Sequence, residues 1–220
     1  PSRVCRILLN KSTTPARADI HKNEKQIVLR ICRIGTYHKE SILQSLELVK
    51  QLNARGIASC LHLVGLVENK RVYEQIKKEA DGLITFFTEE RDYRHAASFI
   101  PSAAIVLATG RGCMEALAMD KIVCVPDFES GVPILLTGIS LEELAINNFS
   151  GRSTIAAEGW DGLCEQILQL RQGEQLSEEY IHFAREAFEK YGALEPYKEK
   201  YLTIYKALIE QKATSRPGLA

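Results

Sequence analysis

The sequence carries no excess of either charge, because 28 lysines and arginines are matched by 28 aspartates and glutamates. No global field draws it to nucleic acid or to a membrane surface, so any anion must be held locally. No apolar run approaches the roughly 18 residues that a membrane-crossing helix needs. The six cysteines include no CxxC pair and lack the density of a secreted disulfide scaffold. Reduced, buried thiols in a cytoplasmic protein are therefore expected. None of the five histidines stands at metal-ligand spacing, and no carboxylate cluster suggests a cation cage, so neither a metal nor another cofactor is expected. The GxSxG nucleophile elbow and the P-loop lysine motif are missing too, which removes the common hydrolase and P-loop chemistries. Glu89-Glu90 and Glu178-Glu179 are adjacent acids on solvated faces, and glycosidase work needs more than adjacency.

What remains is rhythm. A chain of 220 residues sits near the upper edge of the one-domain range. Four runs, Ile27–Cys32, Cys60–Val64, Ala104–Leu107 and Ile122–Val125, are apolar at nearly every position, as strands covered on both faces must be. Gly82–Phe86 makes a fifth. Between the first two, Ile42, Leu46, Val49 and Leu52 recur at helical spacing, with Gly56 placed for a left-handed C-cap. Val72–Lys78 and Cys113–Met119 read as further helices, and the segment after Pro126, with Gly131, Pro133 and Gly138, reads as a loop that could face a ligand. Helical patterns return at Leu141–Ile146, Trp160–Leu170, Glu178–Tyr191 and Tyr197–Gln211.

The fold class expected is α/β, a Rossmann-like parallel sheet flanked by helices and closed by C-terminal helices. Residues 26–211 are expected to form the domain, with residues 1–25 expected as a strand at Val4–Leu9 and a polar connection and 212–220 expected as a disordered tail.

One segment stands out chemically. Ala108-Thr109-Gly110-Arg111-Gly112 follows a buried strand and opens a helix, which gathers backbone N–H groups and the positive end of a helix dipole at one point. Gly110 and Gly112 allow conformations and close approach that a Cβ would block, and Arg111 adds a forked donor for phosphate oxygens. A structural turn would explain the same glycines. Glu115, one turn into that helix, could accept from a pair of ribose hydroxyls, or could simply complement the helix dipole. Arg33 and Lys39 flank the loop leaving the first buried strand, at the sheet edge where open α/β folds place ligands. They could equally be two solvated cations, although Arg33 directly ends an apolar strand, where a charge needs a partner. His62, inside a strand run, reads as a core histidine.

Taken in order, Cys32-Arg33-Ile34-Gly35 with Lys39, Leu61–Gly65, Pro101–Leu107, Gly110–Ala118 and Lys121–Pro126 resemble the C-terminal domain of GT-B-fold glycosyltransferases of family 4. The resemblance extends from about Ile27 to the closing helices at Arg185–Tyr191 and Tyr201–Leu208. It implies that Arg33 and Lys39 hold the diphosphate of a UDP- or GDP-sugar donor and contribute to catalysis. Thr109, Gly110, Arg111, Gly112 and Glu115 would bind the substrate, with Glu115 on the ribose. It also implies retaining, metal-independent transfer and an N-terminal acceptor domain that this sequence does not contain, so the chain is expected to be a fragment or a natural half-enzyme. Any peripheral contact with a membrane would come through that missing domain.

The sequence departs from the family in particular residues as well as in length. Leu107 occupies the nominal position of a glutamate that contacts the sugar, and the Gly-rich loop is shorter, as in GT-B branches whose backbone amides grip the pyrophosphate. Asp120 replaces a glycine before Lys121. Two rival readings follow: a non-catalytic nucleotide-sugar-binding or regulatory protein of the same fold, and a nicotinamide-dependent oxidoreductase. The second fits poorly, because its glycine fingerprint belongs after the first strand of the βαβ unit and this turn comes late.

Overall fold

The structure is a computed structural model that describes residues 25–152, 154–155, 157–172, 175–193 and 195–214. The expected strand at Val4–Leu9 and residues 215–220 lie outside the described residues.

The chain runs β1 (Gln26–Ile31), α1 (Lys39–Ala54), β2 (Ser59–Val64), α2 (Lys70–Glu79), β3 (Ile84–Phe87), a short α3 (Glu90–Tyr93) and a 3-10 turn over Ala96–Ser102. It continues through β4 (Ile105–Leu107), α4 (Arg111–Leu117), β5 (Ile122–Val125), β6 (Ile134–Leu135), α5 (Leu141–Ile146) and α6 (Gly159–Gln169). A small hairpin of β7 (Arg171–Gln172) and β8 (Gln175–Leu176) precedes α7 (Glu178–Tyr191) and α8 (Glu195–Thr214). The main sheet has six strands in the order β3-β2-β1-β4-β5-β6, parallel from β3 to β5, with β6 antiparallel to β5.

The apolar runs form these strands because both faces of the sheet are covered, and alternate residues feed two separate cores. Val28, Leu61, Ile105, Leu107, Ile122 and Cys124 pack with Leu46, Val49 and Leu52 of α1 and with Leu163 and Ile167 of α6. Leu29, Val106, Val123 and Val125 pack on the other face with Cys113, Met114 and Leu117 of α4, Leu144 of α5 and Ala184 of α7. Each fully buried Leu, Ile or Val contributes about 1.5–3 kcal/mol, so the two layers fix the sheet register firmly.

Local signals set the helix ends. Gly56 takes a φ of +80°, and the amides of Gly56 and Ile57 donate to the Asn53 and Leu52 carbonyls, closing α1 as its glycine predicts. Asn69 caps α2 by accepting from the Arg71 and Val72 amides. Asp120, where the resembling family has glycine, sits at φ +54°, a left-handed conformation that glycine holds without strain, and pairs with Arg185 at 3.4 Å. Tyr180 of α7 accepts the Val123 amide at 3.1 Å, while the Val123 carbonyl accepts from the Leu136 amide just past β6. β6 itself lies in the segment expected to be loop, because two residues beside Pro133 give no readable alternation. Helix α8 continues past Lys212, where a tail is expected, to Thr214. Among the described residues no helix is long and apolar enough to cross a membrane.

One consequence of the strand order positions the site. The chain moves outward from β1 to β2 and β3, then returns to place β4 on the other side of β1. The loops leaving β1 and β4 therefore diverge to opposite faces and leave a crevice at their carboxyl ends, the topological switch point of an open α/β sheet.

Candidate anion-binding site at the switch point

Arg30 of β1 is level with Leu107 of β4 in the ladder, so three residues further along each strand come Arg33 and Gly110. The loop after β1 is held against the loop after β2: the Ile34 amide donates to Leu66, and the Glu68 and Asn69 amides donate to Ile34. This contact puts Arg33 beside Glu68, with Nη1 and Oε1 at 3.4 Å and both side chains well exposed. Lys39, the first residue of α1, donates from Nζ to Gln75 of α2 at 3.2 Å. Both cations thus lean on the β2–α2 side of the crevice. The partner that an arginine at a strand end requires is an exposed carboxylate, and such pairs contribute about 0–1 kcal/mol.

Across the crevice, the Ala108 amide extends the ladder to the Cys124 carbonyl, and Gly110 then turns the chain with φ +53° and ψ −129°. Only glycine holds that geometry without strain. The Gly110 amide donates to Phe149, that of Gly112 to Thr109, and that of Cys113 to Gly110. The expected set of open amides is accordingly smaller: those of Thr109 and Arg111 are the ones with no partner among the described residues. Arg111 is highly exposed, and its Nε lies 3.0 Å from Oε1 of Glu115, whose side chain is only 15% exposed. Gly112 lies within α4, and a Cβ there would meet only Ala108 Cβ at an ordinary 3.5 Å.

The structure therefore joins Arg111 to Glu115 and sets Arg33 and Lys39 on a neighbouring wall. Among the described residues no hydrogen bond or ion pair links the two groups. A shallow groove of about 310 Å³ between α1 and Trp160 includes none of these residues.

Arg30 is absent from the sequence-based candidates. It is 1% exposed, donates from Nη1 to the Leu107 carbonyl and from Nη2 to Ser41 Oγ, each at 2.9 Å, and its Nε–H has no partner. The signal was a lone charge inside the run Ile27–Cys32. Asp127, just past β5, is also buried but fully used: it accepts from the Ser130 amide and hydroxyl at 2.9 and 2.5 Å, while Gln44 clasps its backbone.

Burial raises the Cys32 thiol, against the pull of Arg30, and pushes Cys113 up to about 12, so both stay protonated. His38, in the turn between Arg33 and Lys39, is held below the ordinary 6.5 by burial and then by Arg30. His62 is half-buried against Phe87, with ring centroids at 5.0 Å, and burial lowers it as well. Both imidazoles are therefore neutral at pH 7. As pH falls below about 6.5 the unfolded chain takes up these protons first, so stability declines until the folded histidines titrate. Thermal melts at about pH 7.5 and pH 5.5 are expected to show a lower midpoint in acid, and His38→Gln/His62→Gln should narrow that gap. An equal gap in the variant would assign the acid sensitivity to other groups.

No protein-family model and no curated protein sequence matches the chain. Solved structures do match. A trehalose-6-phosphate synthase studied with bisubstrate glycomimetics, for glycosyl transfer with retention, superposes with a TM-score of 0.57 at 12% identity, over 92% of this chain and 50% of its own. The trehalose-6-phosphate protein of E. coli bound with UDP-2-fluoro glucose gives 0.53 at 11%, over 92% and 46%. AviGT4, a glycosyltransferase involved in avilamycin A biosynthesis, gives 0.50 at 16%, over 85% and 52%. The fold is that of one half of a GT-B glycosyltransferase. The chain spans about half the length of the solved structures it matches.

Proposed function

We propose that this chain is the donor-binding half of a glycosyltransferase, and that the crevice between β1 and β4 holds the diphosphate of a UDP- or GDP-sugar. The observation that carries this reading is the placement of the two loops. The segment with Arg33 and Lys39 and the segment Thr109–Gly112 leave adjacent strands at the switch point, on a fold shared with glycosyltransferases. Arg33 and Lys39 exchange their weak partners Glu68 and Gln75 for phosphate oxygens. Arg111 likewise turns from Glu115 to phosphate, which frees the half-buried carboxylate to accept from the ribose hydroxyls. As the glycosidic bond breaks, the leaving diphosphate gains charge, and these cations, once engaged on it, stabilise the transition state without a metal. The reaction proposed is retaining, as in the glycosyl transfer with retention studied on one structural neighbour. The acceptor domain comes from outside this sequence, together with any contact to a membrane, and the setting proposed is cytoplasmic. Alone, the chain binds donor and transfers nothing.

A second reading has one observation behind it. Leu107, the nominal place of a sugar-contacting acid, is fully buried inside β4, so it cannot touch a sugar in the crevice. A nucleotide-sugar-binding protein without transferase activity would share every other feature.

Calorimetric titration with UDP, GDP, their sugars and NAD tests the proposal. UDP or GDP is expected to bind and NAD is not. Gly112→Ala sharpens the test, since nothing in the protein itself requires glycine there. Alanine in a helix is favoured by up to about 1 kcal/mol, so the melting temperature should hold or rise while nucleotide affinity falls at least ten-fold. Binding of NAD but of neither UDP nor GDP would sink the assignment.

A further inference from the structure

Arg30 lies buried in β1, level with Leu107 of β4, beneath the crevice. A guanidinium stays charged at every accessible pH, and burying that charge is strongly unfavourable unless an anion or a full set of hydrogen bonds offsets it. Arg30 has neither: among the described residues no carboxylate pairs with it, and what it meets is a neutral carbonyl, a neutral hydroxyl and the Cys32 thiol. Its Nε–H has no hydrogen-bond partner among the described residues. Cys32, beside it, remains a neutral thiol and brings no countercharge.

The two contacts are informative by position. Nη1 holds the Leu107 carbonyl, two residues before Thr109, at the root of the β4–α4 loop. Nη2 holds Ser41 Oγ, which in turn donates to the His38 carbonyl at 2.9 Å, in the turn that leads into Lys39. The guanidinium thus sits beneath the crevice, tied at once to both loops that border it. Its charge reaches both sides, since it bears on His38 in one loop and on Cys113 in the first turn of α4.

We propose that Arg30 is an electrostatic positioning residue whose missing countercharge is the phosphate group bound in the crevice above it. The guanidinium does not touch the ligand. It acts through a fixed positive field in a region that water and salt do not screen, and it braces the two loops at the spacing the anion requires. The inference takes the anionic ligand from the diphosphate reading, but it does not depend on the nucleoside or on sugar transfer.

The test titrates inorganic pyrophosphate, UDP and UMP into the native chain, Arg30→Met and Arg30→Lys. Methionine keeps the length and removes the charge, whereas lysine keeps the charge. Arg30→Met is expected to weaken pyrophosphate and UDP at least ten-fold and to lower the UDP-to-UMP preference, with Arg30→Lys recovering much of both. A purely structural role would shift the melting temperature and leave that preference unchanged, and this result overturns the proposal. Should Arg30→Met fail to fold, the native chain decides through the Arg30 Nε–H resonance. That resonance is expected to move on adding pyrophosphate, and its standing still while the Gly112 amide moves would also overturn the proposal. Pyrophosphate binding without UDP or GDP binding would leave Arg30 its role and remove the donor reading. Nucleotide binding indifferent to Arg30 would do the reverse, and a native chain that binds no pyrophosphate overturns the inference outright.

Discussion

Gly65→Ala is expected to lower the melting temperature by roughly 10 °C, the largest stability effect of any single methyl group near the site. Gly65 follows β2 where the chain runs against the end of β1, and a Cβ built there would lie 1.7 Å from the Cys32 carbonyl oxygen. That obstacle is backbone on both sides. The Cys32 amide is bonded to Val64, the Ile34 amide to Leu66 and the Gly65 amide to Phe87, so neither segment can retreat without breaking the ladder. Overpacking costs about 1–3 kcal/mol where side chains can shift, and losing ladder bonds as well brings the expected cost to about 4 kcal/mol. For a domain of this size each kcal/mol moves the midpoint by about 2–4 °C. A melt of Gly65→Ala within 2–3 °C of the native chain would mean that β1 and β2 do not pinch together as described. Surviving protein should also bind nucleotide poorly, because the displaced segment carries Arg33.

The largest functional effect is expected from Arg33→Ala/Lys39→Ala. Each cation would give a phosphate oxygen a charge-assisted hydrogen bond, for which about 1.5–3 kcal/mol is typical. Losing both should weaken UDP or GDP binding by about 100-fold or more, at about 1.4 kcal/mol per factor of ten. Stability should barely change, within about 1 kcal/mol, because Glu68 and Gln75 are exposed partners that water replaces. The combination of a stable fold and lost affinity is what separates a binding site from a structural pair. Should affinity survive both substitutions, the diphosphate does not lie against this wall of the crevice.

How far the sequence reported this protein differs by feature. The strands were legible because a sheet covered on both faces takes apolar side chains at nearly every position, and five such runs stand within a residue or two of β1 to β5. Helix α1 and its Gly56 terminus were legible for the same local reasons. β6 was not, since two residues carry no period, and neither was the 3-10 turn over Ala96–Ser102, in which Pro101 masks the pattern. At the site, residue types and spacing marked both loops, but pairing is a matter of three dimensions. Nothing in the string places Arg33 against Glu68 or Arg111 against Glu115, or shows that three of the loop amides are already taken. Arg30 was hidden for a different reason: a single charge within a β-branched run reads as noise until its burial is known.

Whether one pocket is shared by both loops can be tested directly by amide chemical shifts during a titration with UDP or GDP. With a shared pocket, resonances from Arg33 to Lys39 and from Thr109 to Glu115 are expected to move together, with one dissociation constant, while those of α8 stay in place. Shifts confined to one of the two loops, or centred away from the ends of β1 and β4, would contradict it.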